Sequence, residues 1–380
     1  MIQSKLPKVG TTIFSVMSKM ANEYNALNLS QGFPDFPVSE ELISLITDAM
    51  KSGNNQYAPM PGLPLLREQI ANKILKTGGR VVNPETEITI TAGATEALFA
   101  TIISIIKSDE EVIVLEPTYD SYIPAIQLAG GIAVPIPLHQ PDFSIDWESI
   151  HQKVNDKTRL LLINSPHNPS GSIISKGDID QLIKLLDKNP NLLVLSDEVY
   201  EHLIFDGQQH QSVLNYEAIA DRCIAVYSFG KTFHATGWKT GYVVAPPLIS
   251  VEIRKVHQYL TFSVHTPTQL GIAEYLKNAD NYLNLPSFYQ KKRDIFLEKI
   301  QGSRFKVIDS KGTYFQLLDY SEITKELDTD FAARLVKEYK IAAIPISVFY
   351  TDQKDDKLLR FCFAKKEETL IKAGEIIRSI

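Results

Sequence analysis

The chain has 380 residues, 44% hydrophobic and 22% charged, a balance that excludes a disordered or collagen-like protein. At ~100–200 residues per domain, the length points to two domains. With 39 Lys and Arg against 45 Asp and Glu, the net charge is -6 and no basic run stands out, which argues against a nucleic-acid or anionic-membrane partner.

The opening stretch, MIQSKLPKVGTTIFSVMSKM, lacks the unbroken apolar core of a secretory signal. Nowhere does the chain approach the ~18 apolar residues that cross a bilayer. Residues 1–44 carry too little pattern to stand alone and are expected to form an arm that docks elsewhere and completes part of a smaller domain. From 45 to 280, short β-branched runs at 87–91, 111–115, 132–137, 159–164, 191–196, 223–229 and 241–245 alternate with amphipathic segments at 94–107, 119–129, 175–188 and 249–260. Strands buried on both faces and linked by helices predict an α/β domain around a mostly parallel seven-stranded sheet. Beyond residue 280 the rhythm changes to a long polar helix, strand-like FKVID and TYFQLL, a helix at 329–340, LLRFCFA and a closing helix. That predicts a smaller α+β domain over 281–380. Cys223 and Cys362 lie in apolar runs and read as buried reduced thiols, in keeping with a cytoplasmic location.

Two local patterns fail on inspection. Gly230-Lys231-Thr232 follows a strand as in a phosphate-binding P-loop, but Ala225 stands where that loop needs glycine. Glu198-Val-Tyr-Glu201-His202 resembles an inverted zinc-protease helix but has Glu198 where histidine is required. No metal site is predicted.

Four features fit one chemical task. Lys231 ends a buried strand in a loop of small residues, with a second cation, Lys239, nearby in sequence to disfavour its charged form. Asp197 closes the run NLLVLS, and Tyr200 follows it; carboxyl ends of parallel strands are where α/β folds bind ligands, although an isolated Asp there is as readily a helix cap. Asn164-Ser-Pro-His-Asn168-Pro-Ser-Gly171 follows another strand at the same edge. Ala92-Gly93-Ala94-Thr95 opens a helix whose free N–H groups suit a phosphate. An amine nucleophile, a carboxylate, a phenol, an amide and a phosphate cradle thus share one region.

These residues belong to blocks that run through most of the chain: LSQGFPDF (29–36), NQYAPMPGLPLLR, TAGATEALF, EPTYDSY, NSPHNPSG, SDEVYEHL, SFGKTFHATGWKTGY, FSVHTPTQ and RFCFAKKEETL (360–370). In this order they resemble the class I aminotransferases of pyridoxal-phosphate fold type I, and within them the kynurenine/methionine branch. Many class I members have Arg where Lys239 stands, whereas that branch has Lys.

The resemblance implies a role for each matching residue. Lys231 would hold pyridoxal 5′-phosphate as a Schiff base and, once released, move the α-proton. Asp197 would pair with the pyridine nitrogen, Tyr200 and Asn168 would bond the ring oxygen, and Tyr119 would stack on the ring. Ala94, Thr95, Ser228 and Lys239 would hold the phosphate, joined by Tyr57 from a neighbouring subunit, so a homodimer is implied. Arg360 would clamp the substrate carboxylate, assisted by Gly32 and Asn168. Near the substrate side chain the branch would place Ile13, Phe14, Tyr57, Tyr314 and Phe349, with at least one of Ile13 and Phe349 expected to be plain core. Tyr259-Leu-Thr-Phe262-Ser-Val264-His265-Thr contains none of the arginine that dicarboxylate specialists bring from the partner subunit, which predicts methionine, phenylalanine, tyrosine or kynurenine as donors, with glutamine or histidine reached through His265. A β-lyase acting on cysteine conjugates would use the same Lys231, Asp197 and Arg360. A non-enzymatic regulator domain would need a DNA-binding module, for which the chain has little room before the first block.

Overall fold

The computed structural model describes residues 2–7 and 9–380. Seven apolar runs form one sheet: β1 (Ile88–Thr91), β2 (Glu111–Glu116), β3 (Ile132–Pro137), β4 (Thr158–Asn164), β5 (Leu193–Asp197), β6 (Cys223–Ser228) and β7 (Gly241–Val244). Their spatial order is β1-β7-β6-β5-β4-β2-β3. β2 to β6 are mutually parallel where they pair, while β7 runs antiparallel to both β1 and β6. The exception follows from the connection. Only the segment 229–240 separates β6 from β7, and it turns back through a short helix, Phe229–Thr232, and a left-handed Lys239. A parallel return would need a crossover helix.

Alternation along the strands separates two cores. Val112, Val114, Leu160, Leu162, Ile224 and Val226 face helices Ala94–Ile105, Tyr122–Leu128 and Pro247–Leu260. Ile113, Leu115, Leu161, Ile163, Val194 and Ala225 face the other side, where Lys176–Lys188 packs with Ile179, Leu182, Leu185 and Leu186 buried. That helix begins at a reciprocal cap in which Ser175 Oγ accepts from the Asp178 N–H and the Asp178 carboxylate accepts from the Ser175 N–H at 2.8 Å. Thr266–Tyr275 is buried on nearly every side, so its sequence shows no apolar stripe.

The C-terminal third adds a four-stranded antiparallel sheet, in which Phe315–Asp319 lies beside Leu358–Cys362, with helices Leu285–Ile300 and Glu367–Arg378 packed together. The N-terminal arm carries a helix, Ile13–Glu23, and then pairs Leu27–Asn28 in parallel with Ile341–Ala342. The segment that follows, 29–36, is therefore held against the C-terminal layer and runs across to the ends of the large sheet's strands.

Register aligns those ends. Asn164 lies opposite Asp197, and Gly241 lies opposite both Ser228 and Thr91. A Cβ on Gly241 would sit 2.6 Å from the Tyr227 carbonyl and 2.8 Å from the Ala94 N, both backbone atoms that cannot rotate away. We expect Gly241→Ala to lower unfolding stability by about 1–3 kcal/mol, read as a shifted denaturant midpoint; an unchanged midpoint would mean the backbone relaxes at little cost.

Candidate active site

The order of the connections reverses between β2 and β4: β2 leads outward to β3, while β4 leads the other way to β5 and β6. Such a switch leaves a crevice at the strands' carboxyl ends. A cavity of about 260 Å³ opens there, under the N-terminal arm and the C-terminal layer.

Its floor is electrostatic. Asp197 ends β5 with 4% of its surface exposed, accepts a 2.6 Å bond from the Tyr122 hydroxyl and a longer one, 3.3 Å, from the Val199 N–H. Burial pushes its carboxyl up to about 6, against the pull of those bonds and of Lys231. Among the described residues no cation touches it, so a protonated ring nitrogen would find a ready acceptor. Beside it, the Asn164 amide donates to the Asp197 carbonyl at 2.8 Å, and Asn164 Oδ1 accepts from the Asn168 N–H at 2.8 Å. Asn168 thereby reaches the cavity with its side-chain oxygen accepting from Arg360 Nη1 at 2.7 Å.

Arg360 lies on Leu358–Cys362 and is 1% exposed. Nη2 donates to the Ser30 carbonyl at 3.2 Å, the guanidinium lies 3.8 Å from the Phe315 ring centroid, and Nε has no partner among the described residues. Burial pulls its pKa down, opposed by the surrounding phenols. A buried, partly unpartnered guanidinium on a cavity wall is a site for a carboxylate.

One end of the cavity is a cradle. Gly93 has φ +80° and precedes helix Ala94–Ile105, whose first N–H groups lack intrahelical acceptors. A Cβ on Gly93 would come within 3.4 Å of Lys239 Nζ. Ala94, Thr95, Ser228 and Lys239 all line this end, which suits a dianionic phosphate. Tyr119 lies on the wall, where burial raises its phenol above the ordinary range and keeps it neutral, and Tyr200, buried, is held neutral in the same way.

Lys231 rises between these groups, half-buried with its free surface toward the cavity. Burial pulls its ammonium down to about 8, helped by the Arg360 and Lys239 charges and opposed by Asp197. The amine donates to the Gly32 carbonyl at 3.0 Å and to the Tyr314 hydroxyl at 2.7 Å.

Lys231, Asp197, Tyr200, Asn168, Tyr119, Ala94, Thr95, Ser228, Lys239, Arg360, Gly32 and Phe14 all line one cavity. Five other residues singled out in the sequence are not on its wall. Ile13 is half-buried against the core, and Phe349 is 3% exposed with its ring 6.0 Å from Phe14. Tyr314 is fully buried, and only its hydroxyl points to the site. Tyr57 is 83% exposed, edge-on to Phe262, and His265 is exposed and bonded to Thr268 at 2.7 Å. Two contributors escaped the sequence reading. Tyr122 sits on an apolar helix face with nothing local to mark its hydroxyl, and Asn164 reads as one turn residue among several.

A parallel-sheet crevice holding a half-buried amine, a buried carboxylate, a phosphate cradle and a carboxylate clamp defines an enzyme site suited to a phosphorylated cofactor and a carboxylate-bearing substrate. Residues 24–377 match the model of the family Aminotransferase class I and II, and the chain belongs to that family. It is 48% identical to the methionine aminotransferase of Escherichia coli over 379 residues, which span 100% of this chain and 98% of that protein. The crystal structure of YbdL from Escherichia coli, identified as a methionine aminotransferase, superposes with a TM-score of 0.98 at 48% identity over 100% of both chains. Human kynurenine–oxoglutarate transaminase 1 is 32% identical over 95% of this chain and 93% of its own. The structure of N-succinyldiaminopimelate aminotransferase from Mycobacterium tuberculosis superposes with a TM-score of 0.95 at 35% identity over 100% of both chains. The protein is a pyridoxal-phosphate-dependent aminotransferase, and the cradle, the buried Asp197 carboxylate and the Lys231 amine with its lowered pKa fit that cofactor.

The Lys231 amine makes a direct test of this electrostatics. In cofactor-free protein, acylation of Lys231 followed by mass spectrometry should reach half its limiting rate near pH 8, because only the neutral amine reacts. An ordinary lysine would need about two more pH units. A midpoint near 10 would mean the cavity leaves the amine solvated.

Proposed function

We propose that this aminotransferase takes its amino group from apolar or aromatic amino acids, methionine, phenylalanine, tyrosine and kynurenine among them, and passes it to a 2-oxo acid in a two-stage, ping-pong cycle. The observation that carries the reading is the cavity's charge count. Among the described residues on its wall the cations are Lys231, Lys239 and Arg360. The first has the amine chemistry to perform, the second stands at the phosphate cradle, and the third suits the α-carboxylate. Phe14, Leu98, Tyr119, Val199 and Phe315 add apolar and aromatic surface. The other polar residues of the wall, Gln31, Thr236 and Thr240 among them, are uncharged apart from Asp197, so a second substrate carboxylate would be desolvated without a cationic partner from this chain. The names borne by the methionine and kynurenine relatives support the same substrate class.

Bound pyridoxal phosphate supplies an electron sink for the pair left when the α-proton departs. The chain's own residues do the rest. Asp197, kept in place by Tyr122, would pair with the ring nitrogen. Tyr200 and Asn168 would bond the ring oxygen, Tyr119 would pack on the ring, and Ala94, Thr95, Ser228 and Lys239 would hold the phosphate. Arg360 and Asn168, joined at 2.7 Å, orient the substrate carboxylate, with Gly32 beside them. Lys231 Nζ, the amine at the centre of the cavity, would take the α-proton from the substrate and hold it for return.

We also assign a homodimer in the cytoplasm. Tyr57 and Tyr259 are 83% and 86% exposed, and Phe262 lies against Tyr57 with ring centroids 5.4 Å apart. A second copy of the chain would cover this aromatic face and receive Tyr57 and His265 into its own site. Both thiols, Cys223 and Cys362, are free and buried, which suits a reducing compartment.

The substrate reading is tested by mixing cofactor-loaded protein with single amino acids and following the cofactor's absorbance. Methionine and phenylalanine should react on the order of 10²-fold more efficiently than aspartate; faster conversion by aspartate would overturn the pocket assignment. In the same assay Arg360→Lys keeps the charge and loses the two-point fork. We expect about a tenfold or greater loss in kcat/KM for every amino acid, since the α-carboxylate is common to all. A loss confined to one side-chain class would show that Arg360 reads the side chain.

A further inference from the structure

Tyr314 is fully buried, yet its hydroxyl meets the reacting amine. Its ring is fixed by Tyr200, Phe315 and Tyr289, with centroids 5.1, 4.9 and 5.9 Å away. The hydroxyl has one proton, and it donates that proton to the Gly32 carbonyl. Toward Lys231 it can only accept, and Nζ donates to it at 2.7 Å. The same carbonyl takes a second Nζ donation at 3.0 Å. Amine, phenol and carbonyl thus form a closed triangle whose corners come from the β6–β7 connection, the C-terminal layer and the N-terminal arm.

We propose that Tyr314 is a positioning residue for Lys231, aiming the lone pair of its neutral amine. A neutral amine has two N–H bonds and one lone pair. The Gly32 carbonyl and the Tyr314 oxygen lie together on one side of the nitrogen and draw its N–H hydrogens toward them, which turns the lone pair to the side away from the two oxygens. An amine held in this way meets the α-proton without first searching its rotamers, and when it has become an ammonium its extra proton occupies that same outward position. This rests on Lys231 being the group that moves the proton. It gives Tyr314 a task distinct from lining the side-chain pocket, and it explains why the phenol sits beneath the lysine.

Tyr314→Phe keeps the ring among its aromatic neighbours and removes only the oxygen. In single-turnover mixing with methionine, we expect the rate constant to fall about ten- to a hundredfold while the methionine concentration giving half-maximal rate stays unchanged. The isotope effect with α-deuterated methionine should rise, because proton transfer becomes more rate-limiting. In cofactor-free protein the Lys231 acylation midpoint should move to lower pH, since an oxygen that accepts from the ammonium has been lost. Unchanged rate, isotope effect and midpoint would overturn the proposal and leave Tyr314 a packing residue. Should Tyr314→Phe fail to fold, 3-fluorotyrosine placed at 314 retains the hydroxyl and weakens it as an acceptor; a rate and midpoint matching wild type would then be the overturning result. Lys231→Ala separates the two levels of the argument. If it turns over methionine like wild type, the lysine's assigned role falls. If it is inert while Tyr314→Phe matches wild type, only the role of Tyr314 falls.

Discussion

A charge taken out of water must find a partner or give up its charge, and the centre of this protein holds several that have done neither completely. Asp197 is pushed up to about 6, Lys231 is pulled down to about 8, and among the described residues Asp197 has no cation in contact and Arg360, fully buried, has no partner for Nε. Each of these groups is desolvated at a cost to the fold. A cofactor with a ring cation and a phosphate, and a substrate with a carboxylate, have the charges that would offset that cost. The same desolvation would therefore favour ligands of that charge pattern over others.

The scaffold makes such a deficit tolerable by keeping the groups from collapsing onto one another. Tyr122 and the Val199 N–H satisfy the Asp197 carboxylate from below. Asn168 and Ser30 take two of the Arg360 donors. Each stabilising contact comes from a different element, and the sheet register, with Asn164 level with Asp197, sets their spacing. Gly241 shows how little slack exists, since the cradle helix and β7 meet there without room for a methyl group.

Much of this was legible in the chain. The apolar runs at 111–115 and 223–229 became β2 and β6 with small changes at their ends, because a strand buried on both faces leaves an unbroken apolar signature. The run at 191–196 starts later than expected and ends on Asp197 itself, since Asn191 belongs to the preceding turn. The direction of β7 could not be read from GYVVA, for orientation depends on the connection and not on the strand's own residues. Around the site, Lys231 and Asp197 announce themselves by being charged at the ends of apolar strands. Tyr122 does not, because a tyrosine on an apolar helix face carries the same pattern whether or not its hydroxyl has work to do. Tyr314 was legible as a residue near the site, but only the third dimension distinguishes a wall of the pocket from a post beneath the lysine.

The path of the N-terminal arm has a consequence for how the protein is made. Ser30 bonds Arg360, 330 positions away, and Gly32 bonds Lys231, 199 positions away. A ribosome therefore delivers this arm well before any of the groups that hold it, and the large sheet can assemble while the arm still waits. Contacts of such long sequence separation form late and slowly. The two sides of the catalytic cleft are in this sense joined last, by the segment synthesised earliest among those that build it, and a nascent chain would gain its sheet before it gained its chemistry.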